Sequence, residues 1–139
     1  MKANVYRAVA IMLIAVMVAM AQVGSVALTK AGSLTAAEQA VTVALTSEVG
    51  SVAIQVTGTF SGTVTFESTV NGSTWVATAV VPVTVASTRV TTATAAGIWY
   101  MNTSGLHSMR VRCSTYSSGT VVVTVRRARN TPPVGAAAE

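Results

Sequence analysis

Catalysis needs nucleophiles, acids and bases that can be brought into contact, and this chain offers few. Its one histidine, His107, sits beside Gly105 and Ser108 in a turn-like stretch. Its acids are all Glu, and only Glu48 and Glu67 lie between Val41 and the tail. A nucleophile–His–carboxylate triad would have to join His107 to one of these two. A two-carboxylate glycosidase would have to use both. Glu67 is flanked at period two by Thr65 and Thr69, the outward side of a strand, where a solvated charge is the default. One His, one Cys and no Asp give no ligand spacing for zinc and no oxygen-rich loop for calcium. Neither a G-x-x-x-x-G-K-[ST] phosphate loop nor a G-x-G-x-x-G helix start is present. The residues name no catalytic group, no metal and no cofactor. The reading is of a protein that is not an enzyme.

Binding chemistry is better represented. Arg110 and Arg112 alternate on one strand face, placed to pair with an acidic neighbouring surface. Trp75, Trp99, Tyr100 and Tyr116 are flat rings able to stack on sugars. Trp99 and Tyr100 are adjacent in a strand, so one of the two must point inward and the other outward. Arg110, Arg112, Trp99 and Tyr100 are therefore the candidate interaction residues. The formal charge of +5 includes a terminal cluster of Arg126, Arg127 and Arg129. No aromatics interleave with these arginines as a single-strand platform requires, so no specific nucleic acid is expected. Cys113, the single cysteine, excludes an internal disulfide framework and shares its strand face with Met109 and Val111, as a small buried apolar residue would.

These residues must be positioned by strands. Beyond Val41 the chain is rich in Val and Thr, β-branched residues that favour the extended backbone. The stretch from Gly58 to Trp75 alternates Val64, Phe66, Ser68 and Val70 against Thr63, Thr65, Glu67 and Thr69. It breaks at Asn71-Gly72, the dipeptide of a type I′ turn, and resumes at Thr74, which predicts a hairpin with Trp75 packing just past the turn. Strands are predicted at residues 41–46, 51–57, 63–70, 74–81, 83–91, 97–102, 108–114 and 120–127. Seven to eight short strands make an all-β chain, an antiparallel β-sandwich of Ig-like or jelly-roll-like type. The expected core is Val52, Ile54, Val56, Val64, Phe66, Trp75, Ala77, Val111, Cys113, Val121, Val123 and Val125. A sandwich of this size buries a thin core and would gain from association.

The flanks read differently. Residues 1–21 join a basic start, Lys2 and Arg7, to an uncharged apolar run, Ala8 to Ala21, ending in Ala19-Met20-Ala21, the three parts of a secretory signal peptide. The run is short for a bilayer span of about 20 residues. Three readings stand: a cleaved signal, a retained anchor with membrane contact through residues 8–28, and a true start at Met20. Residues 22–40 read as a linker or arm with at most a turn or two of helix from Ser33 or Thr35. The sandwich domain is placed at 41–129 and a flexible tail at 130–139.

The runs GTFSGTVTFESTVNGSTWVA and TTATAAGIWYMNTSGLHSMRVRCSTYSSGTVVVTVR, about Thr57 to Arg127, resemble small β-domain structural proteins of tailed bacteriophages. The resemblance implies a non-enzymatic virion component: a capsid decoration, head-fibre or tail-appendage subunit at the virion surface. It implies a homo-oligomer that docks on other virion subunits. The apolar N-terminal segment departs from that family, because virion proteins assemble in the cytoplasm. It supplies the alternative of a secreted or membrane-anchored adhesion module or pilin-like filament subunit, with carbohydrate as a possible ligand.

Overall fold

A computed structural model describes residues 28–46 and 48–129, and within them the chain is all β, with no helix. The signal-like segment 1–21 and the tail 130–139 lie outside the described residues, as does all of the expected membrane-contacting stretch except Leu28. Ten strands follow one another: β1 (Thr29–Leu34), β2 (Ala40–Ala44), β3 (Ser51–Thr57), β4 (Phe60–Thr69), β5 (Val76–Ala77), β6 (Val81–Pro82), β7 (Thr92–Ala93), β8 (Gly97–Asn102), β9 (Ser108–Gly119) and β10 (Val121–Ala128). They form two antiparallel sheets. The first runs β1-β10-β3-β8-β6; the second runs β2-β9-β4-β5, with β7 also on the free edge of β4. The architecture is a β-sandwich.

Both sheets are built on one bent pair of strands. β3 and β10 are neighbours in the first sheet, β4 and β9 in the second, and β3 runs into β4 as β9 runs into β10. The two corners sit back to back. Gly58 (φ +99°) lies against the Thr120 carbonyl and Gly119 (φ +91°) against the Thr59 carbonyl, so close that a Cβ on either would stand 2.2 or 2.1 Å from that oxygen. The Thr120 N–H donates to the Thr59 carbonyl across the junction. Only glycine combines that backbone conformation with such close approach.

The core lies between the sheets. Val52, Ile54, Val56, Val64, Phe66, Val111, Cys113, Val121, Val123 and Val125 are all buried there, as the alternation indicated. Trp75 and Ala77 are not: Trp75 is half-buried on the outer surface and Ala77 is exposed. The place given to Trp75 is taken by Trp99, whose ring meets Phe66 across the sheets at 5.2 Å between centroids.

Three local expectations are corrected. Asn71-Gly72 does not make a type I′ turn, because Gly72 has positive φ (+78°) but Asn71 does not. The Asn71 carboxamide oxygen instead accepts the N–H groups of Ser73 and Thr74, an Asx turn. Pairing resumes only at Ser68 with Val76, across a longer loop. Residues 83–91 are no strand: Pro82 has no N–H to continue a ladder, and the bridge between Val80 and Val90 closes the intervening residues into a loop. The expected arm, residues 22–40, contributes β1, an edge strand on β10 (Thr29 opposite Arg126 through Leu34 opposite Val121). Leu34 is held in the core, and a turn rather than a helix follows it, with the Thr35 N–H donating to the Gln39 side chain at 2.7 Å.

Candidate functional site

The outward side chains of β4 and β9, with one residue from each of two loops, assemble a charged row on the second sheet. The β4–β9 register sets Glu67 opposite Arg110 and Thr65 opposite Arg112, so the two arginines flank one carboxylate. Arg110 donates from Nε to Glu67 Oε2 at 2.5 Å. Arg112 donates from Nη2 to Glu67 Oε1 at 2.9 Å, and from Nη1 to Glu38 Oε1 at 2.8 Å. Trp75, from the loop before β5, lies beneath the Arg110 guanidinium, 4.4 Å from its ring centroid, in cation–π contact. The row reads Trp75, Arg110, Glu67, Arg112, Glu38.

Glu67 faces outward, as its alternation with Phe66 requires, but it is not solvated. It is 6% exposed, because the two guanidiniums lie across it. Burial pushes its carboxyl upward, and the hydrogen bonds and charges of Arg112 and Arg110 together outweigh that, leaving it below its ordinary value of 4.5. The same bond to Glu67 raises Arg112. Arg110 and Arg112 thus share a face, but their charge is balanced within the chain. Two further polar links lock the neighbourhood. The Thr65 hydroxyl donates to Ser114 Oγ at 2.9 Å, and that hydroxyl donates to the Thr63 carbonyl. Ser114 is the extra residue of a β-bulge on β9 and Ser117 of a second, where the β4–β9 register shifts.

The other candidates fall elsewhere. Trp99 is 7% exposed and belongs to the core. Tyr100, its neighbour, is half-buried on the outer face of the first sheet. Trp99 and Tyr100 are therefore not brought together with the arginine pair. His107 contacts Ser108 Oγ at 2.9 Å in an exposed turn, and among the described residues no hydrogen bond or ion pair joins it to Glu48 or Glu67. Cys113 is buried, and burial, with the charge of Glu38, raises its thiol, which makes it a poor nucleophile at neutral pH. Among the described residues no group of three or more His, Cys, Asp or Glu is placed to hold a metal ion.

Sequence reasoning missed Trp75 and Glu38 as members of the row. It also missed a second feature, a shallow hollow of 280 Å³ on the outer face of the first sheet beside Tyr100 and Arg126. The signal for Trp75 was present, a Trp immediately before a paired strand, but its contact with Arg110 depends on a register that only the fold fixes.

No protein-family model and no curated protein matches the chain. Solved structures do match. The SPBc2 prophage-derived protein YomS is similar over 76% of this chain and 99% of its own, with 12% identity and a TM-score of 0.56. The PBSX exported protein XepA is similar over 77% of this chain, with 16% identity and a TM-score of 0.55, and the chain spans 40% of XepA. At these identities the likeness is one of fold: this chain shares its β-sandwich with the prophage-derived YomS and with XepA.

Proposed function

We propose that the protein is a structural component of a phage-type particle, a decoration, head-fibre or tail-appendage subunit that works by binding its neighbours and catalyses nothing. The observation that carries this is the fold likeness to YomS, which extends over almost the whole of that prophage-derived protein. The composition of the surface supports it. The second sheet's outer face is fixed by internal ion pairs, and its titratable groups are committed to structure. A thin sandwich with two broad faces supports assembly through copies of itself and through other particle subunits. The test is to purify particles from producing cells on a density gradient, identify the chain by mass spectrometry in the particle band, and locate it with gold-labelled antibody. Labelling of the particle surface is expected. A chain confined to the soluble fraction, absent from particles, overturns the reading.

A second reading, a secreted or membrane-anchored module, draws on the signal-like residues 1–21 and on the likeness to XepA, an exported protein. N-terminal mass spectrometry separates the two. A mature start at Gln22 marks export, a start at Met1 marks a retained segment, and a start at Met20 or Ala21 in purified particles leaves the virion reading alone.

A further inference from the structure

The hollow on the outer face of the first sheet is lined on one side by the Tyr100 ring and on the other by the Arg126 side chain. We propose that it binds one carboxylate-bearing sugar unit of a polysaccharide, held between Tyr100 and Arg126. The register sets its width. Arg126 of β10 and Tyr100 of β8 are both direct partners of Ala53 on β3, so all three side chains rise from the same face in one row. Two strand spacings of about 4.8 Å place the outer two backbones about 10 Å apart, with the Ala53 methyl as the floor. That leaves room for one ring at contact distances of about 3.5–4 Å from each wall. The next row, Thr124, Gln55 and Ile98, adds a hydroxyl, a carboxamide and an apolar side chain that is 42% exposed. The volume, 280 Å³, is just under the usual lower bound of ligand pockets, about 300 Å³, and suits a single sugar unit better than a folded segment of protein.

The chemistry of the walls selects the ligand. A pyranose has an apolar face of C–H bonds, which packs on a tyrosine ring, and peripheral hydroxyls, which bond to amide and hydroxyl groups such as those of Gln55 and Thr124. Arg126 adds the charge. It is exposed, and among the described residues no carboxylate pairs with it, whereas Arg110 and Arg112 are both tied to Glu67. A guanidinium fork takes a carboxylate by two parallel hydrogen bonds. The site goes beyond the assembly role and does not depend on it.

The test titrates the isotope-labelled full chain with a galacturonate trisaccharide and, separately, with its uncharged galactose counterpart, followed by amide NMR shifts. The expected result is shifts confined to Ala53, Gln55, Ile98, Tyr100, Thr124 and Arg126, produced by the uronate and weakened by added salt. Arg126→Gln should lower the affinity about tenfold, the loss of one charge-assisted contact. Ala53→Leu, which raises the floor but leaves both walls, should abolish binding with the circular dichroism spectrum unchanged. Absence of shifts at the highest soluble uronate concentration overturns the proposal, and so does equal binding of the neutral sugar. Shifts that follow protein concentration without sugar would make a second copy the occupant and overturn it too. A chain that binds the uronate but is absent from particles sinks the virion reading alone.

Discussion

At the residue scale, Glu67 is the side chain on which the second sheet's outer face depends. Replacing it with Gln leaves two guanidiniums facing an uncharged amide. Both are partly exposed and regain some water, so Glu67→Gln should cost about 1–3 kcal/mol, measured by urea unfolding. The pH dependence has a definite sign. The folded protein holds this carboxyl below its unfolded value of 4.5, so it favours the ionised form. Its contribution is complete above that value and is lost as pH falls through the lower folded one. The difference in Tm between wild type and Glu67→Gln should stay constant above about pH 5.5 and close in more acid solution. Trp75→Ala removes the ring under Arg110 and should cost about 1 kcal/mol in the same unfolding experiment. The common face of Arg110 and Arg112 could be read from their spacing of two. Their partner could not, because Glu67 lies 43 residues from Arg110 in sequence and meets it only through the β4–β9 register.

At the element scale, the paired corners decide whether two sheets form at all. Gly119→Ala sets a methyl carbon against the Thr59 carbonyl at a backbone angle that alanine tolerates poorly. A destabilisation of at least about 2 kcal/mol is expected in thermal unfolding, from the left-handed strain together with the clash. A comparable loss for Gly58→Ala, with a double variant less stable by less than the sum, would show that the corners act as one unit. Most strands were legible: β3 and β8 begin and end at the residues the sequence marks. Residues 74–81, expected as one strand, hold β5 and the start of β6 in different sheets, and β7 was not expected. Two further misses have plain causes. β1, TKAGSL, has small and polar residues with no strand signature, and it is a strand only because β10 offers it a partner. Residues 83–91, with Val83, Val85 and Val90, look like a strand, but Pro82 and the Val80–Val90 bridge close them into a loop. Trp75 went astray for a related reason. The Asx turn at Asn71 lengthens the loop, and the ring swings onto the outer face.

At the scale of the whole molecule, the two broad faces differ in character and the edges are closed to growth. The second sheet's face is internally neutralised; the first sheet's face keeps, beside its hollow, the Arg126 guanidinium, which no carboxylate pairs among the described residues. β5 and β6 are two residues long, and β6 ends in Pro82. On β2 the Ala44 carbonyl accepts from Arg127 Nη1 at 3.1 Å. On β1, Lys30 pairs with Val125 and so stands on the core side of the sheet at its exposed rim, a charge that any added strand would have to bury. Lys30→Val should therefore release β1-to-β1 pairing of two copies, seen as a doubling of mass by light scattering, with wild type unchanged at the same concentration. Folding should be slow for the size, in milliseconds to seconds by stopped flow, since Thr29 must find Arg126 across most of the chain.

The antiparallel pairing of β1 with β10 also fixes where the described body meets what flanks it. The Arg127 N–H donates to the Leu28 carbonyl, so the chain enters and leaves side by side at one pole. A body of this form hangs from a single point, like a tag on a cord, and can be spliced into a surface loop of another protein without forcing that loop apart. Tension between the two flanks would act on one hydrogen bond at a time, opening the β1–β10 ladder as a zip. Such a domain yields first at its seam and leaves the bent β3–β4 and β9–β10 pair intact.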